Sequence, residues 1–120
     1  MASDASFEGG TRVPFHTLET TADASGNGVE VVAAPTVATK NHYVMGWMVQ
    51  NKKGAAIIVT LYHTAGAAGK TQISAGLSFA ADGTLSVNYH EPLAVGAGKN
   101  LGVVASAAGD IEVEIWGYTR

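Results

Sequence analysis

The chain has 120 residues, a formal charge of −3 and no cysteine. That length fits one domain with a core large enough to stand without cross-links, and the missing cysteines exclude thiol catalysis, disulfide frameworks, Cys-ligated zinc and iron–sulfur clusters. Seven scattered Lys and Arg make no basic stripe for nucleic acid, and no apolar run approaches the roughly 18 residues of a membrane span.

Two further features of composition bear on fold and surface. Val and Ile number 18 against 6 Leu, and β-branched side chains suit a pleated surface better than a helix. Charged residues are only 14% of the chain, against ~25% in an average soluble domain. A surface so short of charge is best tolerated when a partner or further copies cover much of it.

Residues 1–12 (MASDASFEGGTR) are small and polar, with Phe7 their one large apolar side chain, and are predicted to form an arm. The first four residues carry neither the positive nor the apolar region of a signal peptide, so synthesis and folding in a cytoplasm are expected. Val13 to Leu18 partly alternate, and Pro14 limits them to an edge strand or an extended strap. Asp23 to Gly28 is a turn cluster, which places the start of the compact domain near Val29: an arm and strap at 1–28, then a β domain at 29–120.

From Val29 on, short apolar stretches alternate with Gly, Asn, Asp and Pro at even spacing, the pattern of a sandwich or barrel. Strands are predicted at Val29–Ala33, His42–Gln50, Ala55–His63, Thr71–Phe79, Thr84–His90, Asn100–Ala105 and Asp110–Tyr118. In the second, strict alternation sets Tyr43, Met45, Trp47 and Val49 on one face and Val44, Gly46 and Met48 on the other. Both faces are apolar, so both need cover. The last alternates cleanly, with Ile111, Val113 and Ile115 inward and Glu112 and Glu114 outward until Trp116. The turns at Asn51–Gly54, Ala81–Thr84 and Ala107–Asp110 are short, so the strands they join are expected to pair as antiparallel neighbours. No segment has capped helical periodicity.

Little in the sequence carries chemistry. His16, His42, His63 and His90 contain no HxH or HExxH pair, so local geometry brings no two together as metal ligands. Glu112 and Glu114 share a strand face, the place of a solvated surface or an aggregation guard rather than a glycosidase pair. Gly66 to Thr71 resembles the end of a phosphate loop, but position 64 is Thr, and no helix follows. Trp47 and Trp116 would stack on a sugar only if exposed. No metal, cofactor or catalytic residue is predicted.

Val31 to Tyr118 resembles small β-sandwich virion proteins of tailed bacteriophages. The resemblance rests on "VVAAPTVATKNHYVMGW", the strand "AAIIVTLYHTAG", the "LSFAADGTLSVNY" turn and the close "PLAVGAGKNLGVVASAAGDIEVEIWGY". It implies an antiparallel jelly-roll-like β-sandwich of about eight strands with an extended N-terminal arm. It also implies a non-enzymatic capsid decoration (cement) protein, a homotrimer bound to the major capsid protein on the outer surface of the virion, touching neither nucleic acid nor membrane. Phe7, Arg12, Val13 and Phe15 are then the expected capsid or inter-subunit contacts. Tyr43, Met45, Trp47 and Met48 are expected at an oligomer or core surface. The rival expectation is a tail or head-fibre module that recognises host glycan through an exposed tryptophan.

Overall fold

The computed structural model describes residues 11–120, and these contain nine strands and no helix. The strands are β1 (Val13–Thr21), β2 (Val29–Val32), β3 (His42–Asn51), β4 (Ile57–His63), β5 (Thr71–Gln72), β6 (Leu77–Phe79), β7 (Thr84–Ala94), β8 (Leu101–Ala105) and β9 (Ile111–Thr119). They form two antiparallel sheets, ordered β1-β9-β3-β7 and β2-β8-β4-β5, with β6 also on β4. Because β5 and β6 lie in succession along β4, they act as one interrupted strand. The wiring is then that of an eight-stranded jelly roll, all-β as the composition requires.

The core lies between the sheets. Val44, Trp47, Val49, Ile111, Val113 and Ile115 close on it from one side and Ile57, Val59, Leu61, Leu101 and Val103 from the other, all of them buried. Burying side chains of this size contributes roughly 1.5–3 kcal/mol each, and a chain without cross-links depends on that term. The Trp47 indole N–H donates to the Tyr89 hydroxyl at 3.0 Å, and its ring meets Phe79 edge-on. The one polar group of the indole is thereby satisfied.

Four expectations are corrected. The sandwich does not begin at Val29: β1 pairs with β9 without a break from Val13↔Thr119 to Thr21↔Ile111. Pro14 is accommodated because β1 is an edge strand. The Asp23–Gly28 cluster is therefore a turn inside the domain. Ala24 is fully buried there, and the Asp23 carboxylate accepts from the Ser25 hydroxyl and amide, which hold its pKa below the ordinary carboxylate value.

The three short turns do not join neighbours. Each runs from one sheet to the other: 52–56 from β3 to β4, 80–83 from β6 to β7, and 106–110 from β8 to β9. β3 has both edges filled by β7 and β9, so β4 has no place beside it.

Third, the strand expected at Thr71–Phe79 is two short pieces. Ser74 breaks it by accepting the Leu61 amide on its hydroxyl, and Gly76 lies so close to β4 that a Cβ there would stand 2.9 Å from the Ile58 side chain.

Fourth, the faces of β3 change phase. Its register against β7 and β9 shifts between Val44 and Gly46, and this bulge puts Trp47 inward with Val44 and Val49 while Tyr43 points outward. On the β7 side the irregularity takes up residues 89–92, since Val44 pairs with Leu93 and Gly46 with Asn88. The strand, expected to end at His90, thus continues through Pro92 to Ala94, on a sheet edge where proline is tolerated.

Candidate functional site

The outer face of the β1-β9-β3-β7 sheet is where the sequence and the fold disagree about water. Alternation along β9 puts Glu112, Glu114, Trp116 and Tyr118 on it, and register places a residue of β1 and of β3 beside each. The face therefore has rungs across β1, β9 and β3: Pro14–Tyr118–Tyr43, His16–Trp116–Gly46, Leu18–Glu114–Met48 and Thr20–Glu112–Gln50.

At one end the aromatic rings are stacked. Tyr43 and Tyr118 lie 5.1 Å apart and 19° from parallel; the Arg12 guanidinium sits 4.6 Å over Tyr118, and that of Arg120 5.5 Å over Tyr43. These are the only two arginines in the chain. They meet because Asn41 and Arg120 exchange backbone hydrogen bonds and β1 runs along β9 to the same end. Among the described residues neither arginine has a carboxylate partner.

In the middle, Trp116 lies across β3 at Gly46. A Cβ on Gly46 would come within 2.5 Å of the indole and 2.7 Å of the Val87 carbonyl oxygen, so only glycine leaves room for the ring. His16 meets Trp116 edge-on and pairs with Glu114 at 3.4 Å. Leu18 is 57% exposed beside them. At the far end Glu112 pairs with Lys52 at 3.3 Å. The face thus carries two arginines at one end, aromatic and apolar side chains in the middle, and the Glu112–Lys52 ion pair at the other.

The expected site residues divide. Phe7 lies outside the described residues. Arg12 and Tyr43 belong to the stack, and Met48 lies on the same face. Val13 is exposed at the rim of an apolar cleft of about 360 Å³ formed with Pro35 and Val37. Phe15 faces the core and meets the His42 ring edge-on, so it is not a free surface contact. Met45 is exposed at the bulge, whereas Trp47 is 1% exposed and belongs to the core.

Trp116, Tyr118, Arg120, His16 and Leu18 were not among the expected contacts. The alternation of β9 carried the signal for two of them, because it continues outward through Trp116 and Tyr118 after the two glutamates.

The histidines serve structure where they are buried. Ala33 offers only a carbonyl oxygen, so His42 Nε2–H donates to it at 2.7 Å, and Nδ1 shares a hydrogen bond with the Thr119 hydroxyl at 2.6 Å. Among the described residues no group of three or more His, Asp or Glu is placed to hold a metal ion.

No known protein family matches the chain, and no curated protein does. Solved structures are similar at low identity. A protein from the disulfide-linked pili of Bacillus endospore appendages is 10% identical, with 91% of each chain covered and a TM-score of 0.43. Eiger TNF from S. frugiperda is 15% identical over 89% of this chain and 92% of that one, with a TM-score of 0.44. A chain of infectious bursal disease virus, Gt strain, is 13% identical over 90% of this chain and 32% of that one, with a TM-score of 0.36.

Proposed function

We propose that the protein is a non-enzymatic capsid decoration protein of a tailed bacteriophage, a self-associating subunit that binds the major capsid protein on the outer surface of the head. The observation that carries this reading is the outer sheet face. Tyr43, Met48, Trp116, Tyr118 and Leu18 form an apolar and aromatic surface on a sheet whose other face already closes the core. Leu18 is exposed there and Tyr43, Met48, Trp116 and Tyr118 are half-buried, so this flat face of a chain with few charges suits a partner surface better than open water. Many such weak contacts across a shell add to high avidity.

In this reading the flat face serves the association of subunits and the arm makes the contact with the capsid. Arg12, the last residue of the expected arm, stacks on Tyr118 at the end of the sheet where β1 begins. In the test, purified heads lacking the protein are mixed with the full chain or with a chain deleted for residues 1–12, then pelleted and imaged. The full chain is expected to coat the heads and the truncated chain to stay in solution while remaining folded. Decoration by the truncated chain would sink this reading.

A second reading rests on Trp116. Its indole is on the outer face beside a tyrosine stack, an arrangement on which a sugar ring can lie. A tail or head-fibre module for host glycan would give saturable glycan-array binding with a shift in tryptophan fluorescence, and that result would favour it over decoration.

A further inference from the structure

We infer that the outer face of the β1-β9-β3-β7 sheet pairs with the same face of a second copy, about a two-fold axis that runs across the strands at the level of Trp116. This deepens the decoration reading, on which it rests, by naming the surface through which the subunits associate.

The case is one of charge and shape along β9. Trp116 is four residues from Arg120 and four from Glu112, about 13 Å either way at the rise of a strand. A two-fold at Trp116 that reverses the strands therefore sets Arg120 over the partner's Glu112, and Arg12, on the neighbouring strand, is within reach of the same carboxylate. On β3 it sets Tyr43 over the partner's Met48, a sulfur–aromatic contact. On β1 it sets Pro14 over the partner's Leu18. Arginine meets carboxylate at the two ends of β9, and apolar meets apolar on β1 and β3, while Tyr118 lies over the partner's Glu114 between them; the same patch serves both copies, as a two-fold interface requires.

The carboxylates are available for this. Lys52 reaches only Glu112 Oε2 and His16 only Glu114 Oε1, and each carboxylate has a second oxygen to offer. An axis parallel to the strands, two-fold or three-fold, would instead bring the arginine end of one copy to the arginine end of the next. Like charges at close range oppose that packing.

Size sets the strength. Strands of nine or ten residues across three or four positions give a face of roughly 500 Å² per copy, about 1,000 Å² in total. That is at the lower edge of specific interfaces, so a reversible, concentration-dependent dimer is expected.

Sedimentation of the full chain from micromolar to millimolar concentration tests this. A monomer–dimer equilibrium is expected. Arg120→Glu or Glu112→Arg alone should weaken it by about tenfold or more, since each places two like-charge contacts across the interface, and the double variant should restore it. Urea denaturation of each variant checks that the fold is kept. A wild-type chain that stays monomeric or forms trimers overturns the pairing, as does a dimer that Arg120→Glu leaves intact. Failure of an intact dimer to bind heads overturns the decoration reading and leaves the pairing standing.

Discussion

Gly46 decides what both faces of β3 do. It follows the bulge that turns Trp47 inward, and its missing side chain is the space into which Trp116 fits on the other side. Gly46→Ala should destabilise the fold by about 1–3 kcal/mol, because the new methyl group meets the indole on one side and the fixed Val87 carbonyl on the other. Gly54→Ala is the control, since a Cβ there meets nothing within 4 Å. Urea unfolding followed by tryptophan fluorescence reads both, and equal midpoints for the two variants would remove Gly46 from this role. The apolar character of β3 on two faces was legible in the sequence. The phase of its faces was not, because the extra residue at Met45 exists only in the register of β3 against β7 and β9, both far away in the chain.

At the scale of the element, the turns hold the clearest lesson. Asn51, expected as the first residue of a hairpin turn, is fully buried and ties a corner between the sheets. Its Nδ2 donates to the carbonyls of Ala55 and Ala80, and its Oδ1 accepts the Lys53 amide. Three backbone groups from two connections thus depend on one side chain. Asn51→Leu leaves all three without that partner and should cost about 3 kcal/mol, at roughly 1 kcal/mol for each bond lost. Asn51→Asp should cost more, because a carboxylate would face two carbonyl oxygens without a proton to give. Chemical denaturation reads both, and a Leu variant as stable as the parent would show that the corner holds without Asn51. Gly, Asn and Asp marked the turn positions correctly, since a reversal of the chain has the same local needs wherever it leads. Which strand lies beyond the reversal depends on the free edges left in each sheet, and no local pattern records that. The outward half of β9 was legible for the opposite reason: a strand with one face on the core and one toward water writes its alternation in the sequence.

For the molecule as a whole, the pairing of β1 with β9 gives the sandwich two unlike poles. Arg12 and Arg120 lie together at one, and the 52–56, 80–83 and 106–110 connections lie at the other, where Gln50 pairs with both Thr84 and Glu112. In a single subunit whose arm makes the capsid contact, the head meets the arginine pole and the opposite pole points away from the shell; binding is therefore read at concentrations below those at which the two-fold pair forms, because in that pair the two arginine poles face opposite ways. A bulky domain fused after Arg120 would then stand between the subunit and the head even with the arm intact. The same domain inserted between Asp82 and Gly83 would project into solvent. The first fusion should lose at least about tenfold in head affinity and the second should bind like the parent, a difference of about 1.4 kcal/mol or more, read by co-sedimentation with undecorated heads. Asp82 is exposed at the tip of this turn, but its amide donates to the Lys53 carbonyl and that of Gly83 to the Ala80 carbonyl, so urea denaturation of the insertion variant checks that the fold is kept. Equal loss from both fusions would mean that attachment does not run through the arginine pole. Equal binding by both would move it to the flat face between the poles, where the aromatic rungs lie.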